Sequence, residues 1–138
     1  MTFISRNYDS GRNVLVAGAA SLAAVKWNAL VDNGSGFITN AASSTAVDVP
    51  FVAAETLTLG GTAGELLQCM RTGGNVIFDA TTDAAPAQTD VGTRCDLASA
   101  SAVNPDAVTN NLFYIESIVG ALADLVVRGH FTQGVPNS

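Results

Sequence analysis

His130 is the only histidine in the chain and the first residue to consider for chemistry. An imidazole can act as a general base or bind a metal ion. A metal site needs several ligands, however, and no second histidine or ligand spacing accompanies His130, which follows Arg128 by two residues. We therefore expect His130 to be a surface residue of a β-strand.

Three aspartates surround a polar loop that precedes Val91. They are Asp79, Asp83 and Asp90. Loop carboxylates of this kind can bind Ca²⁺, but their spacing differs from the EF-hand pattern. We expect them to be solvated loop charges.

Acid–base or nucleophilic catalysis would need other residues. Glu55, Glu65 and Asp96 could pair as acid and base, although nothing in their spacing brings two of them together. The glycine-rich stretches 33–36 and 60–64 contain neither a Gly-x-Ser-x-Gly elbow nor the Gly-Lys-Ser/Thr ending of a phosphate loop. The sequence thus predicts no catalytic, cofactor-binding or metal-binding residue and no enzymatic activity.

Cys69 and Cys95 are the two cysteines of the 138-residue chain. One pair is not a disulfide framework in a domain of this size. Both lie in predicted strands, where a small buried thiol packs well. We expect two free thiols.

The composition suits a single domain that hides part of its surface in an assembly. Hydrophobic residues make up 48%, mostly Ala and Val, whereas charged residues make up 13%, about half the usual share. The net charge of −6 repels phosphate backbones and argues against nucleic-acid binding. No basic cluster indicates an anionic membrane surface.

The sequence predicts neither a signal peptide nor a transmembrane helix. Residues 1–10 are polar and have no apolar core of a signal peptide. The longest apolar stretch, 14–31, is interrupted by Gly18 and Lys26 and is too polar for a transmembrane helix. We expect a protein that is made in the cytoplasm and is kept there or released by lysis.

The last third of the chain predicts three β-strands in series. They are residues 91–97, 112–119 and 124–131, separated by Gly, Pro, Asn and Asp. In the last of them, alternate residues from Leu125 to Phe131 share one face and Arg128 lies on the other. This period of two is typical of a half-buried strand.

Two hairpins are predicted upstream. Residues 25–31 and 37–39 flank the turn signal Asn33-Gly34, and residues 65–71 and 75–79 flank a second glycine-rich turn. With about nine short strands and no convincing long helix, the chain is expected to be all-β, a small β-barrel, β-tulip-like or sandwich domain.

The predicted domain organisation is simple. Residues 12–131 form one β domain, with a barrel core at about 47–131 and the first third as a hairpin-bearing extension. Residues 132–138 are a tail.

Residues 1–11 are predicted to be an extended arm that lies outside the core. Phe3, Ile4 and Tyr8 would give this arm apolar contacts when it binds a partner.

Residues 112–119 are apolar on both predicted faces. Leu112, Tyr114 and Ile118 lie on the face opposite to the inward one. An apolar face of this kind must be covered, so we expect these three residues to contact another subunit or the arm.

Three segments resemble small capsid decoration (cement) proteins of tailed bacteriophages. They are the Gly-Thr-x-x-Asp-Leu strand at 92–97, the Asn-rich turn into a hydrophobic strand at 110–115, and the strand at 127–131 that ends in Gly-x-Phe. The preceding stretch 67–78, a predicted hairpin, also resembles this family. The resemblance covers roughly the last 70 residues.

The resemblance implies a β-barrel or β-tulip-like module on the outer surface of a virion. Such a protein is made in the host cytoplasm, forms a homotrimer or another homo-oligomer, and bridges neighbouring subunits of the major capsid protein. The family has no catalytic residues and no cofactor.

Two other hypotheses remain open. A self-assembling shell, tail-tube or surface-layer subunit would share the β architecture but would polymerise by itself. A small hydrolase would depend on His130 or Cys69.

Overall fold

The computed structural model describes residues 3–7, 13–73 and 76–132. Within these residues the structure is nearly all β, with two short 3₁₀ helices at Gln88–Asp90 and Leu122–Asp124. The predicted all-β fold is thereby confirmed. The strands are β1 (Phe3–Ser5), β2 (Val14–Ala17), β3 (Ala23–Ala24), β4 (Ala29–Asp32), β5 (Ile38–Asn40), β6 (Phe51–Ala53), β7 (Leu57–Thr58), β8 (Leu66–Arg71), β9 (Phe78–Thr81), β10 (Arg94–Ser99), β11 (Ala102–Asn104), β12 (Phe113–Ile118) and β13 (Val126–Phe131).

The first sheet has six strands in the order β1-β9-β13-β12-β10-β11, with antiparallel pairing throughout. It curls so that β11, at one end, reaches the end of β9, the strand next to β1 at the other end. Thr82, which directly follows β9, forms a bridge with Val103 of β11, and the Asp83 N–H donates to the Val103 carbonyl at 3.1 Å. The sheet is therefore barrel-like.

The second sheet has five strands in the order β2-β8-β6-β4-β5. Gly18, at the end of β2, forms a bridge with Ile38 of β5, and the Ala19 N–H donates to the Ile38 carbonyl at 2.8 Å. This contact joins the two ends of the second sheet at one point. A separate two-stranded sheet pairs β3 with β7.

Two hydrophobic cores fill the molecule. The larger core lies between the two sheets, and the smaller core lies within the curl of the second sheet. In β4, Leu30 packs in the smaller core, whereas its neighbours Ala29 and Val31 pack in the larger one. In β8, Cys69 and Met70 divide in the same way. The second sheet is thus buried on both faces over part of its area, which explains a composition rich in Ala and Val.

Four phenylalanines form the centre of the larger core. Phe3, Phe78, Phe113 and Phe131 are at most 2% exposed, and the ring centroids in contact lie 4.8 to 5.8 Å apart. Aromatic rings at these separations add to the free energy gained from their burial.

The prediction that residues 1–11 form an arm outside the core is wrong for Phe3–Ser5. These residues form β1, which pairs with β9 and places Phe3 in the larger core. Three residues are too few to display a period of two, so the sequence did not distinguish this strand from an irregular arm. Tyr8 and most of the other predicted arm residues lie outside the described residues.

The predicted barrel core at about 47–131 is also wrong. The first third of the chain supplies β2, β4 and β5 to the same sheet as β6 and β8. The second predicted hairpin does not form either, because β8 pairs with β2 and β6, whereas β9 pairs with β1 and β13. The chain crosses from one sheet to the other between these two strands.

The first predicted hairpin is confirmed as β4 and β5. Its five-residue loop is held by Asn33, whose side-chain oxygen accepts hydrogen bonds from the N–H groups of Ser35 at 2.8 Å and Phe37 at 3.4 Å. Gly34 and Gly36 adopt φ values of 90° and 89°, a region that favours glycine. The three predicted C-terminal strands are confirmed as β10, β12 and β13.

Phe3→Ala is expected to lower the free energy of unfolding by about 3–5 kcal/mol, because it removes a ring from a packed aromatic cluster. Ile4→Ala is the matched control, since Ile4 lies on the opposite side of the same strand and is only partly buried. Urea denaturation of both variants measures the difference. Equal stability of the two variants would show that β1 does not anchor the core.

Gly129→Ala is expected to lower the free energy of unfolding by at least about 2 kcal/mol through overpacking. A Cβ at this position of β13 would overlap the carbonyl oxygen of Tyr114 and lie 2.9 Å from the Phe113 ring. Gly61→Ala provides the control, because nothing lies within 4 Å of a Cβ there. A Gly129→Ala variant as stable as the control would contradict the close approach of β12 and β13.

Candidate interaction surface

The outer face of the first sheet is the side that faces away from the larger core. Cross-strand pairing places Tyr114 between Arg94 and His130 on this side. Asp79 lies between Ile4 and Arg128 in a neighbouring row. We define the outer face by Ile4, Arg6, Asp79, Arg94, Tyr114, Glu116, Arg128 and His130.

Asp79 of β9 is joined by ion pairs to β13 and to Arg6, the residue that follows β1. The Arg128 guanidinium binds it with two hydrogen bonds, at 2.8 Å from Nε and 3.3 Å from Nη2. Arg6 Nε lies 3.7 Å from the same carboxylate. The hydrogen bond to Asp79, followed by the charge of Asp79, raises the pKa of Arg128. This fork geometry fixes the arginine side chain in place.

A second group on the outer face centres on His130. Its ring stacks on Tyr114 with the centroids 5.1 Å apart, and its Nδ1 lies 3.0 Å from Glu116 Oε2. The His130 side chain is 43% exposed. The structure therefore places His130 at the surface of a strand, beside one carboxylate and one aromatic ring.

The outer face differs in charge from the rest of the chain. Its defining residues include three of the six basic residues, Arg6, Arg94 and Arg128, and the two carboxylates of Asp79 and Glu116. The buried carboxylate of Asp96 in β10 lies on the same side of the sheet, because its neighbours Cys95 and Leu97 point into the larger core. Arg94 is exposed and forms no ion pair with the carboxylates of the described residues. A chain with a net charge of −6 thus carries one face on which basic and acidic groups balance.

Two of the predicted interface residues, Leu112 and Ile118, pack against the larger core and so do not face a partner. Leu112 is 1% exposed and belongs to the larger core. It precedes β12, after Asn111 with a left-handed φ of 56°. Ile118 packs against the larger core because a bulge between Ile115 and Ser117 reverses the alternation of the strand.

Tyr114 and Ile4 are the predicted interface residues that do lie on the outer face. Both are partly buried. Phe3 is excluded because it is fully buried. The outer face was not predicted as a unit, because its rows join strands that are distant in sequence.

Asp96 has a structural role that the sequence did not reveal. It is 5% exposed. Its carboxylate accepts hydrogen bonds from the backbone N–H groups of Thr109, Asn110 and Asn111, at 3.2, 2.6 and 2.9 Å. These bonds hold the turn that leads into β12 and so position Tyr114. An aspartate in a strand, followed by an Asn-rich turn, was the available signal.

The other carboxylates considered for chemistry also bind backbone groups. Glu55 accepts a hydrogen bond from the Gln68 N–H at 2.7 Å, and Glu65 accepts one from the Gly60 N–H at 3.1 Å. Asp90 accepts one from the N–H of a residue three positions earlier, at 2.7 Å. Across residues 3–7, 13–73 and 76–132, no group of three or more His, Cys, Asp or Glu side chains could hold a metal ion.

Both cysteines are free and buried. Burial raises the pKa of Cys69 and of Cys95 from 9.0 to about 12. The charges of Glu55 and Asp96 act in the same direction on Cys69 and Cys95, respectively. A nucleophilic cysteine needs a lowered pKa, so both thiols have the opposite of the required environment.

Comparison of the chain with protein-family models, with curated proteins and with solved structures gave no match. In the part of the chain that the structure describes, no helix has the length and apolar character to cross a membrane.

Replacing Cys69 and Cys95 together by Ala is expected to leave the fold intact and to lower the free energy of unfolding by about 1–3 kcal/mol. The stability difference from the wild type should shrink as the pH rises from 9.0 toward about 12. In that range the unfolded chain releases thiol protons that the folded chain retains.

Denaturation at several pH values measures this difference, and a native thiol titration provides the control. Both thiols should react slowly in the folded protein. Oxidised cysteines in the native protein would contradict the assignment of free thiols.

Proposed function

We propose that the chain is a capsid decoration protein that binds the outside of a viral head and stabilises it by bridging subunits of the major capsid protein. The observation that carries this proposal is the outer face, where Arg94, Tyr114, Arg128 and His130 lie together on one side of a curled sheet. The proposed function assigns no chemical reaction to the residues of this face. Its role is recognition.

The segments that resemble decoration proteins are also those that build much of the outer face. Residues 92–97 include the start of β10, residues 110–115 lead into β12, and residues 127–131 form most of β13. These strands pair with one another in the first sheet. The resemblance and the candidate surface thus depend on the same part of the chain.

The composition of the outer face suits protein recognition. Tyr and Arg are enriched at protein interfaces and among the residues that contribute most to binding. The ion pairs of Asp79 and the stacking of Tyr114 on His130 hold these side chains before a partner arrives. Side chains that are already ordered lose less conformational entropy on binding.

The charge of the outer face indicates the chemistry of the partner surface. The exposed Arg94, which forms no ion pair with the carboxylates of the described residues, favours an acidic side chain on the shell and helps to orient the approaching molecule.

Arg94→Glu and Tyr114→Asp are each expected to weaken binding to undecorated heads at least tenfold, which corresponds to about 1.4 kcal/mol. The heads are assembled from the major capsid protein of the same genome, and binding is measured by cosedimentation. Lys26→Glu and Val47→Asp are the matched controls, because they make the same kinds of charge change at exposed positions away from the outer face.

The circular dichroism spectrum of each variant must match that of the wild type, so that a loss of binding does not reflect a loss of fold. Full-strength binding by both outer-face variants would contradict the proposed contact. Failure of the wild type to bind heads would contradict the proposed function itself.

A further inference from the structure

The loop between β4 and β5 contains an asparagine that is followed by a glycine. Asn33 is the only asparagine of the sequence that directly precedes a glycine. Residues 32–36 are all exposed, and the Asn33 N–H donates to the Phe37 carbonyl at 2.8 Å, which closes the loop. The Asn33 side chain and the Gly34 backbone are therefore accessible to water while the fold holds their positions.

The Gly34 nitrogen is hydrogen-bonded to a carboxylate. Its N–H donates to Asp32 Oδ1 at 2.6 Å. This hydrogen bond lies in the plane of the peptide group, whereas a new bond to the nitrogen forms from above or below that plane, so the two do not compete. Apart from its chain neighbours, nothing lies within 4 Å of the position that a Cβ of Gly34 would take. Asp32 is thus placed to accept the proton of a backbone nitrogen that no side chain crowds.

The side-chain carbonyl of Asn33 accepts two backbone hydrogen bonds. Its Oδ1 receives the Ser35 N–H at 2.8 Å and the Phe37 N–H at 3.4 Å. Two N–H groups directed at one carbonyl oxygen stabilise the negative charge that develops on it when the carbon becomes tetrahedral, as in an oxyanion hole. The carbon in question, Asn33 Cγ, closes a small unstrained ring when it bonds to the nitrogen of the next residue. The loop therefore holds an electrophile, a nucleophile and a proton acceptor together.

We propose that the β4–β5 loop promotes the deamidation of Asn33, so that aged protein carries aspartate or isoaspartate at position 33. The Gly34 nitrogen bonds to Asn33 Cγ while its proton passes to the Asp32 carboxylate, and the two N–H groups hold the oxyanion. The carbon–nitrogen bond of the side-chain amide then breaks. Its nitrogen takes the proton back from Asp32 and leaves as ammonia, which gives a cyclic succinimide.

Water completes the reaction. It adds to one of the two carbonyl carbons of the succinimide and breaks the bond between that carbon and the ring nitrogen. Attack at the former side-chain carbon leaves aspartate, and attack at the main-chain carbon leaves isoaspartate, in which the main chain is one carbon longer. Both products place a second negative charge next to Asp32 in a chain whose net charge is already −6.

This modification is independent of the proposed function. The β4–β5 loop belongs to the second sheet, whereas the proposed capsid contact uses the outer face of the first sheet. The reaction needs only the folded chain and water. Its test therefore needs no viral head, and the failure of either proposal leaves the other intact.

Peptide mapping by mass spectrometry tests the reaction in the full chain. The protein is incubated at mildly alkaline pH, folded in one sample and unfolded in guanidinium chloride in the other. Asn33 should convert at least about tenfold faster in the folded chain, because only the fold holds the carboxylate and the two N–H groups in place. Fragmentation of the peptide distinguishes isoaspartate from aspartate. The other asparagines in the same digest should convert more slowly than Asn33.

Asp32→Asn tests the role of the carboxylate. The amide oxygen still accepts the Gly34 hydrogen bond but is a far weaker base, so Asn33 should convert about tenfold more slowly in the folded variant. Glu65→Gln is the matched control, because it removes another carboxylate that accepts a glycine N–H, that of Gly60 at 3.1 Å. It should leave the rate at Asn33 unchanged. The circular dichroism spectra of both variants must match that of the wild type.

Two results would overturn the proposal. Conversion of Asn33 that is no faster in the folded chain than in the unfolded chain would show that the hydrogen bonds of the loop do not promote the reaction. An unchanged rate in folded Asp32→Asn would show that the carboxylate takes no part in it. The first comparison uses the wild-type chain alone, so it decides the proposal even where the variant is unstable.

Discussion

The burial of the second sheet on both faces is the constraint on which the rest of the fold depends. Side chains of β4, β6 and β8 alternate between the two hydrophobic cores. Toward the larger core, β4 and β6 present the small side chains of Ala29, Val31 and Val52. Leucines fill the smaller core on the other face. The aromatic rings are therefore concentrated on the other side of the larger core, on the first sheet. A charged residue on the central strands would remain unpaired in one core or the other, which accounts for the low content of charge.

Local patterns in the sequence predicted the features that depend on neighbouring residues. The alternation of β13 is visible because buried Val127 and Phe131 flank partly exposed Arg128 and His130. The β4–β5 hairpin is visible because Asn33 and its glycines hold the loop. These features need no contact between distant parts of the chain, and the all-β class follows from them.

The errors came from pairings between distant segments and from local breaks in periodicity. Whether β8 pairs with β9 or crosses to the other sheet depends on which core each strand fills, and the two strands have similar hydrophobic patterns. The bulge after Ile115 reverses the alternation that placed Ile118 with Tyr114. The partner N–H groups of Asp96 lie 13 to 15 residues away, beyond the range of any short motif. Two of the eight residues that define the outer face, Ile4 and Tyr114, were therefore predicted as interface residues, but the arrangement of the face was not.

The specificity of the outer face has two physical sources. The ion pairs of Asp79 fix the geometry of its charged side chains, so recognition through these charges should weaken as salt is added. The stacked rings of Tyr114 and His130 offer contact area whose contribution depends less on salt. The salt dependence of binding therefore separates the contribution of the arginines from that of the rings.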